Sequence, residues 1–178
     1  IIFAQSNAMK ASYELEKYHE AVIFADKVLQ NEKIENSVKS DAQIIIARSA
    51  MKTGNENKAK DAYAEVLKIA TGKLAAEALY YDAYFKNKSE QFKASNESIQ
   101  LLAKEYAGYK YFGAKGLVLM AKNFYKLNDA FQATYILESV IKNFEDYPDI
   151  IEEATSELAI IKSEQAKTND SINIEEKN

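Results

Sequence analysis

The sequence predicts an all-α protein assembled from repeated helical hairpins. Apolar side chains recur three and four residues apart through most of the chain, the spacing that keeps one helix face buried. One proline and five glycines in 178 residues leave little punctuation for strands and tight hairpins. Small residues on alternate helices, Ala21, Ala59, Ser95 and Ala133, are spaced 38, 36 and 38 residues apart. Helical periodicity alone does not produce that register. A repeated supersecondary unit does.

The hairpins follow in order. The first is expected over about 3–30, with Ala8, Met9, Ala11, Ser12, Tyr13 and Leu15 on one helix and Tyr18, Ala21, Val22, Ala25, Val28 and Leu29 on the other. A polar connector leads to the second, about 36–70, where Ile44 to Ala47, Ala50 and Met51 precede a turn at Gly54-Asn55. Gly54 stands where a helix C-terminus favours a residue tolerant of positive φ. The return helix carries Ala59, Ala62, Tyr63, Val66, Leu67 and Ile69. The third hairpin, about 74–106, diverges most: Asp82 and Lys86 interrupt the face formed by Ala75, Ala78, Leu79, Ala83 and Phe85.

The fourth hairpin, about 110–144, has the clearest pattern. Leu117, Met120, Ala121 and Phe124 lead into Leu127-Asn128-Asp129, and Ala133, Ile136, Leu137, Val140 and Ile141 return. Asp129 suits an N-cap, with Gln132 three residues on. A capping helix is expected over 147–167, opened by Pro148 and Asp149 and striped by Ile150, Ala154, Leu158 and Ile161. Glu153, Glu157 and Ser163 are expected to stay wet. Residues 168–178 lack periodicity and are expected to fray.

The Gly116–Phe144 stretch, GLVLMAKNFYKLNDAFQATYILESVIKNF, resembles a tetratricopeptide repeat, an αα-hairpin that buries its apolar face only by stacking on neighbours. The family period is about 34 residues, so each unit here carries two to four more. The resemblance implies a right-handed superhelix of four hairpins plus a cap, with a concave wall that holds a protein partner. From Ala75 onward the chain resembles more narrowly the C-terminal part of long tetratricopeptide-repeat proteins of Bacteroidetes-type bacteria. The carriers are AAEA, KAS, YKYFGAKGLVLMAKNFYKLNDAFQA and ESVIKNFEDYPDIIEEA. Those relatives are generally exported, which implies a periplasmic or envelope location ahead of a cytoplasmic one.

Composition narrows the chemistry. The net charge of −4 argues against a dedicated nucleic-acid binder, and no apolar run approaches the length of a membrane span. There is no cysteine, and His19, expected in the first inter-helix turn, has no catalytic or metal-binding company. Neither enzyme activity, cofactor nor metal is expected. Phe112-Gly113-Ala114-Lys115-Gly116 lacks the ending of a phosphate loop; its glycines instead allow close approach of a neighbouring helix. The tyrosines around Tyr80, Tyr81, Tyr84, Tyr106, Tyr109 and Tyr111 read as packing, or alternatively as an aromatic contact patch.

The resemblance also places a groove. Carried over residue by residue, its lane comprises Lys10, Tyr13 and Glu14; Ile44, Arg48, Met51 and Lys52; Tyr80, Tyr84, Asn87 and Lys88; and Val118, Lys122, Tyr125 and Lys126. Six are cations in an acidic chain, which suits an acidic peptide or protein partner. The Lys and Asn pattern by which one subgroup clamps a terminal carboxylate is not met, because Lys10 and Arg48 stand where Asn would be needed and Ser6 and Ile44 where Lys would be.

A second reading makes the chain the terminal spacer of a longer solenoid, packing on upstream repeats or on itself as a homo-oligomer, without a ligand. A third, nucleic-acid binding through the basic lane, would show steep salt dependence. At the N-terminus, Gln5 to Met9 resembles the junction that a cleaved tag leaves ahead of a start methionine, while Ala4, Ala8 and Ala11 also make the small face of a genuine helix. The origin of residues 1–8 stays open, and the chain is expected to be part of a longer one.

Overall fold

The computed structural model describes residues 2–175, and side chains as far as residue 168. Among these residues the chain is all-α, as expected, with no strand. The helices are α1 (Ile2–Glu14), α2 (Tyr18–Leu29), α3 (Asn36–Lys52), α4 (Glu56–Ile69), α5 (Gly72–Lys88), α6 (Phe92–Glu105), α7 (Lys110–Lys126), α8 (Ala130–Asn143) and α9 (Pro148–Glu175).

The chain divides into two compact units, Ile1–Phe85 and Lys86–Asn178, and the division falls inside α5. In the N-terminal unit α1 packs on α2, α2 on α3 and α3 on α4, and α1 also packs on α3. Its core holds Met9, Ala21, Ala25 and Val28 of the first two helices against Ile44 to Ala47, with Ala59, Tyr63 and Val66 of α4. In the C-terminal unit α6 packs on α7, α7 on α8, α8 on α9, and α7 also on α9. Val118, Ala121, Leu137, Val140, Ile150, Ala154 and Ile161 form that core. Consecutive packing of this kind is what a helical repeat requires, since one hairpin leaves its apolar stripe uncovered.

The repeat is sharpest at the turns. Glu16, Gly54, Glu90 and Asn128 all have positive φ, and they are spaced 38, 36 and 38 residues apart, as the small anchor residues are. Each sits at the same point of the same helix stop. The amides of Glu16, Gly54, Glu90 and Asn128 bond to the carbonyls three residues back, and those of Lys17, Asn55, Gln91 and Asp129 reach five residues back, to Ser12, Ala50, Lys86 and Phe124. This is the Schellman arrangement, which satisfies the last carbonyls of the first helix and reverses the chain. Asn55 and Asp129 then cap the return helix, accepting from the amides of Lys58 (3.1 Å) and Gln132 (3.0 Å). Five residues after each positive-φ position comes a fully buried small anchor: Ala21, Ala59, Ser95 and Ala133.

Two details differ from expectation. Helix α9 does not stop near Lys167 but runs to Glu175. Of the 168–178 tail expected to fray, 168–175 is helical and 176–178 lies outside the described residues. Once a helix is nucleated, each added residue gains a backbone bond, so weak helix formers can extend it; Thr168 also returns its hydroxyl to the Glu164 carbonyl (3.0 Å). His19 is not in the turn but is the second residue of α2, and it is exposed.

Candidate functional site

The first helix of each hairpin carries the expected lane, and most of its polar members are engaged inside the chain. In the N-terminal unit the centre is Glu77 of α5, 5% exposed in an alanine-rich stretch. Arg48 of α3 donates to it through Nε (2.8 Å to Oε1) and Nη2 (2.5 Å to Oε2), a two-pronged pair that matches the guanidinium fork to the carboxylate. The Tyr63 hydroxyl donates to the same Oε1 at 3.1 Å. Tyr63 stacks on Tyr81, ring centres 4.2 Å apart, and Tyr81 meets Tyr80 and Tyr84 edge-on.

Charge and burial reinforce one another here. The Glu77 hydrogen bond, working against burial, holds the Arg48 guanidinium above its ordinary range. Burial first, then the negative charge of Glu77, keeps the phenols of Tyr63 and Tyr81 protonated beyond the usual tyrosine range. Burial also raises Tyr13, with Arg48 opposing it. Lys10 of α1 reaches Asp41 of α3 at 2.6 Å, but this pair is exposed.

The C-terminal unit is joined differently. Asn123 of α7 is fully buried and donates to Ser95 Oγ (2.8 Å) and Asn96 Oδ1 (2.7 Å) of α6. It accepts from Asn87 Nδ2 at 2.7 Å, so donor and acceptor sides of its amide are both used. On another face of α7, Lys122 pairs with Glu153 (2.7 Å) and Glu157 (3.2 Å) of α9. Burial lowers the Lys122 ammonium, but the bond to Glu153 and the charges of Glu153 and Glu157 outweigh it, and the net shift is upward. The hydroxyl of Tyr111 donates to Asp149 at 2.8 Å, and that of Tyr125 donates to Glu164. The hydrogen bond to Glu164 raises the Tyr125 phenol. Glu153 and Glu157, expected to stay wet, are thus half-buried partners of Lys122.

The other lane residues divide by burial. Ile44, Tyr80 and Val118 are buried, Tyr84 is half-buried with its hydroxyl on Glu56 (3.2 Å), and Met51 packs against the N-terminal core. Asn87 belongs to the amide network, and Glu14 and Lys88 are exposed. Lys52 and Lys126 are exposed and make no ion pair among the described residues. Sequence reasoning missed Glu77, Tyr63, Asn96 and Asn123. The signal for Glu77 is a lone carboxylate among alanines; for Asn123 it is an amide on the helix face shared with apolar residues.

The tyrosines around the third hairpin form separate groups. Tyr80, Tyr81 and Tyr84 join Tyr63 and Phe85 in the N-terminal unit, whereas Tyr106 meets Tyr109, and Tyr111 meets Phe112 and Tyr147, in the C-terminal unit. Of the two glycines expected to allow close helix approach, Gly116 does so: a Cβ there would lie 3.1 Å from Ile99 Cγ2. Gly113 does not; a Cβ there would meet nothing within 4 Å.

Among the described residues no group of three His, Asp or Glu side chains is placed to hold a metal ion, and no helix is long and apolar enough to cross a membrane. No protein-family model matches the sequence, and no curated protein matches it.

Proposed function

We propose that the chain is a tetratricopeptide-like scaffold, the right-handed superhelix its sequence resembles, and that it holds a protein or peptide partner against the first helices of its hairpins. The observation that carries this reading is the fourfold recurrence of one turn. A positive-φ residue, the same pair of backbone bonds and a buried small anchor five residues on repeat at 38, 36 and 38 residues. A repeat of this type supplies a surface rather than a reaction centre.

The internal pairing changes which residues face a partner. Arg48 and Lys122 are held by Glu77 and by Glu153 with Glu157, so they serve the junction between helices. Lys52 and Lys126 are the lane cations left for an acidic ligand. Charge reversal at both, Lys52→Glu with Lys126→Glu, is expected to abolish partner capture by the full chain while leaving its melting temperature unchanged. Capture that survives the double reversal would remove the groove from consideration.

The spacer reading has an observation of its own. Phe3, Leu15 and Ile23 on the first hairpin are 79%, 67% and 54% exposed, large apolar groups for a terminal hairpin. If they meet another repeat or another copy, the isolated chain dimerises with rising concentration, and Phe3→Glu with Ile23→Glu returns it to a monomer in light scattering.

A further inference from the structure

Helix α7 has a second face. Gly113 lies on the side of the helix opposite Lys122, since the nine residues between them make two and a half helical turns, and Lys110 and Leu117 flank Gly113 one turn before and one turn after it. These three residues line a cavity of about 430 Å³ bounded by α6, α7 and the turn from α8 into α9. Ile99 and Leu102 of α6, both buried, form its floor, and Leu117 and Phe144 add apolar wall. Lys110 and Asp146 are exposed at its rim. Tyr106, Asn143 and Tyr147 add polar groups to the lining beside Lys110 and Asp146; an apolar wall with placed polar groups around a few hundred cubic ångströms is the usual composition of a small-ligand site.

Gly113 makes the cavity more than a packing gap. A glycine inside a helix lowers stability relative to alanine. At Gly116 the nearby Ile99 side chain explains the absence of a Cβ; at Gly113 neither positive φ nor a close neighbour does. What the missing side chain does is leave the cavity open.

The rim selects the occupant. Lys110 offers a cation at the first residue of α7, where the helix dipole is positive, and Asp146 offers an anion after the end of α8. Neither residue makes an ion pair among the described residues. A ligand with one charge of each sign around an apolar body complements both. We propose that this cavity binds a short apolar peptide with free termini, its side chains on Ile99, Leu102, Leu117 and Phe144, its carboxylate at Lys110 and its ammonium at Asp146. The site is independent of the groove reading, because none of its lining residues belongs to the lane and Gly113 lies opposite Lys122 on α7.

The test is a titration of the isotope-labelled full chain with the dipeptide leucyl-phenylalanine, followed by amide chemical shifts. Saturable shifts at Ile99, Leu102, Gly113 and Leu117 are expected. Gly113→Ala and Gly113→Leu should weaken binding progressively, the latter by about tenfold, with the melting temperature kept or raised. Lys110→Ala and Asp146→Asn should each weaken it by about threefold. Amidating the peptide's C-terminus should erase the first of these differences, and acetylating its N-terminus the second. The proposal is overturned by absence of saturable shifts, by undiminished affinity in Gly113→Leu, by equal binding of the doubly blocked peptide, or by tighter binding of octanoate.

Discussion

The two units solve the same problem with different chemistry. Both must join the first helix of one hairpin to the first helix of the next through polar side chains that are wholly or partly buried. The N-terminal unit uses charge, with Glu77 buried and neutralised by Arg48 and hydrogen-bonded by Tyr63. The C-terminal unit uses a neutral amide, Asn123, with Asn87, Ser95 and Asn96, and keeps its cation, Lys122, half exposed against α9. A buried charge is costly to desolvate and depends on every partner being present, whereas a satisfied amide carries a smaller penalty if disturbed. The junctions should therefore respond to truncation in different degrees.

The largest effect is expected at Arg48. Arg48→Ala leaves Glu77 charged and buried without its guanidinium, and should cost about 3–5 kcal/mol in urea unfolding. The double variant Arg48→Met with Glu77→Leu removes both charges and should recover most of that loss. An Arg48→Ala cost below about 1 kcal/mol would erase the contrast between the units, because it would mean that the pair behaves as a surface bridge.

Asn123→Ala comes next. It strips the buried Ser95 and Asn96 of a donor and the half-buried Asn87 of an acceptor, and should cost about 2–3 kcal/mol. The comparison sharpens if Asn96→Ala is added to Asn123→Ala. Removing the amide whose Oδ1 has lost its donor should recover part of the loss, and a fully additive double variant would show that the network is not coupled.

Which parts of this were legible follows the same chemistry. Gly54 announces its turn because glycine alone is neutral to positive φ, and Asn128 is the next most tolerant residue. Glu16 and Glu90 adopt the same conformation with no such preference, so only the spacing from Gly54 reveals them. The all-α class and the apolar stripes were readable because burial repeats with the helical period. The pairing of the lane was not. Lys10, Arg48 and Lys122 look alike in sequence, yet their partners stand 31, 29 and 31 residues on, in a different helix. No local pattern links residues that far apart; stacking one hairpin on the next does. Even Glu77, whose alanine neighbours mark it as unusual, does not name Arg48 from sequence alone.

The smallest expected effect concerns alkaline pH, and it sets Tyr63 against Tyr125. In the unfolded chain a tyrosine loses its proton near pH 10. In the fold, burial and the charge of Glu77 keep Tyr63 protonated well above that. Above about pH 10 the unfolded state therefore binds fewer protons than the folded one, and stability falls as pH rises, by up to about 1.4 kcal/mol per pH unit for this group. Below pH 10 its contribution is fully present. Lys122, raised by its two glutamates, acts in the same direction, with its contribution intact below the ordinary lysine range. Tyr125 is also raised, but chiefly by the bond of its hydroxyl to Glu164; its ring packs against the C-terminal core while that bond is exposed, and solvent screens the interaction. Tyr63→Phe should lower stability at pH 7 through the lost bond to Glu77, yet flatten the decline between pH 9.5 and 11 followed by circular dichroism. Tyr125→Phe should leave that decline nearly as steep as in the parent. Equal flattening by both would mean that burial around Glu77 is not what holds the Tyr63 proton, and the distinction between a charged and a neutral junction would lose its titratable signature.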